Sequence, residues 1–154
     1  MLFRSICYVA VCKNDVLTRI VLCDVQGHGS HVSAIANSIY CAVRNSMNRA
    51  QGYGVLSELN QILFRQAAPA YATAALITFS TCESRLYFSY AGHPAILLRR
   101  CSVKQWSSLV LASDSEDANF PLGMFPFTYY DQDSVALRSG DRLALYSDGL
   151  VDAE

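Results

Sequence analysis

The sequence predicts an α+β protein, a layered α/β/β/α sandwich of two antiparallel sheets flanked by helices. Two observations carry that expectation. The hydrophobic period changes twice along the chain, from strand-like to helix-like and back, so that strands and helices are segregated and do not alternate as in a parallel βαβ sheet. The chain of 154 residues is 52% hydrophobic and only 16% charged, enough apolar material for the core of a single domain.

Residues 6–12 (ICYVAVC) and 17–24 (LTRIVLCD) are β-branched and apolar-rich and are separated by the polar Lys13-Asn14-Asp15, which predicts a hairpin. The second strand runs into Asp24-Val25-Gln26-Gly27-His28-Gly29. A helix is expected from Ser30, a suitable N-cap, because Val32, Ile35, Ala36, Ile39, Tyr40, Val43 and Met47 recur at three- and four-residue steps. After Gly52 and Gly54, a second helix carries Val55, Leu59, Ile62, Leu63 and Gln66 and stops before Pro69. Strands are expected over 72–80 and 85–91 around the turn Thr81–Ser84, then over 95–100, 134–137 and 142–146. Residues 104–119 read as irregular, with a solvated Ser-Asp-Ser-Glu-Asp at 113–117, and Pro121-Leu122-Gly123 with Phe125-Pro126 as a rigid turn region. No internal repeat or linker interrupts the chain, so residues 1–154 form one unit.

Composition excludes several classes of function. A formal charge of -1 leaves no global basic footprint for nucleic acid. The longest apolar runs, such as 74–77 and 95–98, are strand-length, far short of the roughly 20 residues of a membrane span. The six cysteines (7, 12, 23, 41, 82 and 101) lack the spacing of a zinc knuckle. Cys23 and Cys41 lie in apolar runs where a thiol acts as a small hydrophobe, so reduced structural cysteines and a cytoplasmic setting are expected. There is no Gly-x-Ser-x-Gly elbow and no P-loop.

Two aspartates stand out. Asp24 ends an apolar strand just before Gly27 and Gly29, and Asp148 follows LALYS and precedes Gly149. Carboxylates at strand ends beside glycine can face a cleft and offer oxygen to Mg²⁺ or Mn²⁺. Asp-Gly also starts ordinary turns, so this pattern alone leaves both readings open. His28 and His31 bracket the helix start, and His93 sits in a Gly-His-Pro turn. A zinc site there would need a third ligand that the local sequence does not provide.

Three blocks taken together resemble the SpoIIE-like branch of the 2C-type metal-dependent serine/threonine phosphatases. VLCDVQGHGSHVSAIANSI at 21–39 is similar to the family's Asp-Val-x-Gly-His-Gly loop and first helix. YAGHPAILLRR at 90–100 is similar to its Asn-Ala-Gly-His-Pro turn. The segment from Pro121 matches its Pro-Leu-Gly, its Gly-Asp before a strand and its closing Asp-Gly-Leu. The resemblance implies a binuclear Mn²⁺ or Mg²⁺ centre in the complete domain. Asp24 matches the bridging ligand, Val25 would offer its main-chain carbonyl, and Asp148 matches a second carboxylate. It implies attack of a metal-activated water on a phosphoserine or phosphothreonine monoester of a protein substrate, such as a phosphorylated anti-sigma-factor antagonist. It also suggests sensor domains upstream. His28 is the candidate to protonate the leaving alkoxide, although a histidine in such a loop also serves to hold it; loop-holding is the expectation for His93. The family's Gly-Gly-Asp stretch falls at Arg4-Ser5-Ile6, which has no carboxylate, and its Asp-Asp motif lies beyond Glu154. The expectation is therefore a domain truncated at both ends, with a non-catalytic partner-binding module as the alternative and poor solubility from an exposed sheet edge.

Overall fold

The computed structural model describes residues 5–12, 16–26, 30–46, 53–66, 71–112 and 118–147. The first hairpin forms as expected. Strand β1 (Ser5–Val11) pairs antiparallel with β2 (Leu17–Val25), Val11 lying opposite Thr18 and Ser5 opposite Asp24. Alternation along β2 puts Arg19, Val21, Cys23 and Val25 on one buried face, and Ile20, Leu22 and Asp24 on the other.

Helices α1 (Ser30–Asn45) and α2 (Tyr53–Phe64) follow. Both cover the Val21/Cys23/Val25 face: Ile35, Ile39, Ala42 and Val43 of α1 and Val55, Leu56, Leu59 and Leu63 of α2 share one core with Ala72, Ala74 and Leu76. Val32, Ile35, Ile39 and Val43 of the expected stripe face this core, and Met47 lies outside the described residues. Tyr40 lies on the flank, packed edge-on against Tyr8 with ring centroids 5.1 Å apart, and Cys41 is exposed. The expectation that Cys41 serves as a core hydrophobe is thus corrected; Ala42 and Val43 fill that stripe.

Strands β3 (Ala72–Ser80) and β4 (Arg85–Ala91) form the second hairpin. β3 is the central strand of a five-stranded sheet ordered β1-β2-β3-β4-β7, where β7 is Asp133–Ala136. A second sheet has the order β6-β5-β8, with β5 at Leu97–Arg99, β6 at Ser107–Ser108 and β8 at Arg142–Ala144. It lies over the face of the larger sheet opposite the helices. Ala75, Ile77, Leu86, Phe88 and Tyr90 pack there with Ile96, Leu98 and Leu109. The sandwich of two antiparallel sheets with helical cover is therefore as expected, and both helices among the described residues lie on the larger sheet.

Two details differ from the sequence reading. β6 lies within the stretch read as irregular, because two exposed serines carry no hydrophobic alternation. β5 starts only at Leu97, because the Ile96 N–H donates to the Tyr90 hydroxyl (3.0 Å) while that hydroxyl donates to the Leu109 carbonyl (2.8 Å). Strands β7 and β8 are consecutive yet belong to different sheets, so the turn around Gly140 carries the chain from one layer to the other.

A buried arginine holds the helical layer in place. Arg19 on β2 is 1% exposed. It donates to the Ser46 carbonyl after the end of α1 (2.6 Å) and to Thr78 Oγ1 on β3 (3.1 Å). Burial pulls its pKa below the ordinary value, but a guanidinium remains cationic, and its charge sits where α1 presents the negative end of its dipole.

Candidate functional site

The register brings the sequence blocks to one end of the sandwich. Asp24 lies between Ser5 of β1 and Thr73 of β3, all three on the face opposite the helices. One residue further along, Val25 pairs with Ala72. Beyond β4, Gly92 bridges to Ala74, and His93 is buried with its Nδ1 2.9 Å from Thr73 Oγ1. That contact connects the Gly-His-Pro turn to the strand beside Asp24 and matches the loop-holding role expected of His93.

The Pro-Leu-Gly segment closes the same end. Leu122 and Ala72 exchange two main-chain hydrogen bonds, of 3.1 and 2.8 Å. Gly92 has φ +59°, a left-handed conformation that suits glycine, and a Cβ there would lie 2.6 Å from Pro121 Cγ. Asn60 on α2, 1% exposed, accepts from the Gly123 N–H (2.8 Å) and donates to the Phe125 carbonyl (2.8 Å), and its neighbour Gln61 donates to the Pro126 carbonyl. These bonds fix a cleft of about 450 Å³ lined by Asp24, Val25, Gln26, Tyr71, Thr73, Pro121 and Met124. Its size falls within the range of small-molecule sites.

The donors at this cleft are hard oxygens. The Asp24 carboxylate is half-buried. Val25 buries its side chain in the helix-facing core, so only its main chain is available to a ligand. Cys23 does not face the cleft: its side chain is fully buried in the helix-facing core, where burial and then the Asp24 charge push its thiol up to about 12. This donor chemistry fits Mg²⁺ or Mn²⁺, not a thiophilic ion. Among the described residues no group of three His, Cys, Asp or Glu side chains converges, so Asp24 is the carboxylate they contribute. His28 and Asp148 lie outside the described residues, as does the side chain of His31. All six cysteines are free thiols.

Thr73, Asn60 and Tyr90 went unnoticed in the sequence. Thr73 and Asn60 act through cross-strand or helix-to-loop partners with no sequence spacing to announce them. Tyr90 did carry a signal, since it stands where the resembled motif has asparagine.

The fold with this cleft at its end is that of the bacterial 2C-type phosphatase domains. The phosphatase domain of SpoIIE from Bacillus subtilis superposes with a TM-score of 0.75 at 16% identity, over 97% of this chain and 41% of that one. The RsbU and RsbW domains of a Mycobacterium tuberculosis protein give 0.79 at 19% identity, over 98% and 40%. RsbX in complex with magnesium gives 0.74 at 15% identity, over 100% and 70%. The chain belongs to the SpoIIE family: the family model "Stage II sporulation protein E (SpoIIE)" matches residues 14–154. The phosphoserine phosphatase RsbP of Bacillus subtilis is 27% identical over 139 residues, which cover 86% of this chain and 33% of RsbP, so the chain spans about a third of that relative. Among the described residues no helix is long and apolar enough to cross a membrane.

Proposed function

We propose that this chain is part of a metal-dependent phosphoserine/phosphothreonine protein phosphatase acting in bacterial signalling in the cytoplasm. The observation that carries the reading is the position of Asp24 at the mouth of the cleft, on the inter-sheet face, within a family whose characterised relative RsbP is named a phosphoserine phosphatase. Asp24, the Val25 carbonyl and Asp148 would hold the cations. Asp148 enters this reading through the closing Asp-Gly-Leu motif that resembles the family's, and lies outside the described residues.

When bound, Mn²⁺ or Mg²⁺ acidifies a water and offsets charge on the phosphoryl oxygens. The protein does the rest. Asp24, with Asp148 in this reading, would set the charge of the cleft, while Pro121 and Met124 wall it and the Thr73–His93 contact holds the turn beside it. His28, two residues before α1 in the sequence, would give a proton to the departing serine or threonine alkoxide. The substrate class that fits is a phosphorylated regulatory protein, such as an anti-sigma-factor antagonist.

One observation favours a second reading, a non-catalytic module that binds such a partner. Ser5, opposite Asp24, belongs to the Arg4-Ser5-Ile6 stretch that stands in place of the family's Gly-Gly-Asp and carries no carboxylate. Phosphate release from phosphoserine, phosphothreonine and phosphotyrosine peptides, with Mn²⁺ or with EDTA, separates the two. The phosphatase reading requires Mn²⁺-dependent release from the first two peptides. A folded protein that binds phosphopeptide without hydrolysing it supports the second.

A further inference from the structure

Away from the candidate cleft, Arg99, Arg100, Lys104, Arg138 and Arg142 gather at the far end of the small sheet. They line two adjoining clefts of about 320 and 230 Å³ that share Arg100 and Cys101. Five of the chain's 12 Lys and Arg residues thus crowd one concavity in a chain of net charge -1. The geometry is not charge-neutral on its own. Arg99 and Arg142 are direct cross-strand partners, a like-charge pairing that opposes sheet formation.

The one carboxylate in the lining, Asp141, is already engaged. It accepts from the main-chain N–H groups of Cys101 (2.9 Å) and Arg138 (3.0 Å) and from Arg100 Nη1 (2.8 Å). Arg100 also donates to the Ala136 carbonyl. Arg99 lies over the Trp106 ring, 5.3 Å from its centroid. Lys104 and the side chains of Arg138 and Arg142 are exposed and form no ion pair among the described residues. Gly140, with φ +86°, brings the 138–141 turn so close to Cys101 that a Cβ would lie 3.0 Å from Cys101 Cβ, which sets the shape of the wall between the two clefts.

Several uncommitted cations in a concave site are best matched by a multiply charged anion; a single carboxylate would leave most of them unbalanced. Arginine forks match phosphate oxygens in particular. The site shares no lining residue with the Asp24 cleft, and Arg99 lies six residues beyond His93, at most ~20 Å along the chain.

We propose that this basic cleft is a second, non-catalytic anion site that binds a phosphate-bearing ligand through Lys104, Arg138 and Arg142, with Arg99 and Trp106 at its rim. It stands independently of the phosphatase reading.

The test is calorimetric titration of the 154-residue chain with pyrophosphate at fixed ionic strength in EDTA, followed in parallel by the fluorescence of Trp106, the only tryptophan. The expected result is saturable binding that perturbs Trp106. It should weaken at least tenfold in the double variant Lys104→Gln/Arg142→Gln, be retained in Arg142→Lys, and be unchanged in Asp24→Asn. No saturable heat, equal binding by the double variant, or loss of binding in Asp24→Asn would overturn the proposal. A phosphoserine peptide and its unphosphorylated copy form the second arm. Tighter binding of the phosphopeptide than of pyrophosphate identifies a protein-borne phosphate as the ligand, and the reverse order identifies a free phosphoanion; either supports the site.

Discussion

Gly92→Ala tests how the candidate cleft is built. Alanine must first adopt the left-handed φ of +59°, at about 1–2 kcal/mol. Its Cβ must then find room where Pro121 Cγ lies 2.6 Å away, against an ordinary carbon contact of about 3.5–4.0 Å. Pro121 cannot simply retreat, because Leu122 beside it is paired twice with Ala72 and Gly123 donates to buried Asn60. Overpacking of this kind costs about 1–3 kcal/mol. Alanine returns about 0.4–1 kcal/mol by restricting the unfolded chain. The net loss is about 1–5 kcal/mol, a large share of a stability of about 5–15 kcal/mol. Urea denaturation followed by far-UV circular dichroism measures it as a lowered midpoint. A loss below about 0.5 kcal/mol, within the range of ordinary surface substitutions, would show that the turn yields and that the close approach does not hold the cleft together.

Further outcomes follow from the same geometry. Asn60→Ala strands the buried Gly123 N–H, at about 1–3 kcal/mol, and leaves the Phe125 carbonyl with Thr128 alone, so denaturation should show a loss of at least about 1 kcal/mol together with faster proteolysis around residue 125. Ser5→Asp places a second carboxylate beside Asp24, with Cβ atoms about 4.5–5.5 Å apart, so Mn²⁺ affinity measured by electron paramagnetic resonance should rise at least tenfold. Asp141 is held below the ordinary carboxylate range by the Cys101 N–H, then by the Arg138 N–H and Arg100. Its contribution to stability is therefore full above that range and is lost as pH falls through it to the depressed value. Asp141→Asn should be less stable than the parent at neutral pH, and thermal melts should show the difference shrinking as the solution is acidified.

The fold was legible because its elements carry their own periodicity. The alternation in 5–25, the three- and four-residue steps in 32–43 and the polar turn at 81–84 each dictate local structure without tertiary help. The ends were less legible where tertiary contacts decide them: β5 waits for Leu97 because Tyr90 captures Ile96, and Cys41 is displaced from the core by Ala42 and Val43. The site was legible through Asp24 and the Gly-His-Pro turn, which lie at strand ends and within motifs. Its supports were not. Asn60 resembles any polar helix residue until the 121–126 turn folds back onto it, and Arg19 looks like a surface cation until α1 ends above it.

The most direct test of the central claim is the rate of Mn²⁺-dependent phosphate release from a phosphoserine peptide by the chain and by Asp24→Asn, each confirmed folded by circular dichroism. Release should be abolished by EDTA and fall at least a hundredfold in Asp24→Asn, because the variant removes the carboxylate proposed to hold the cation. An Asp24→Asn variant that hydrolyses the peptide as fast as the parent would contradict the claim.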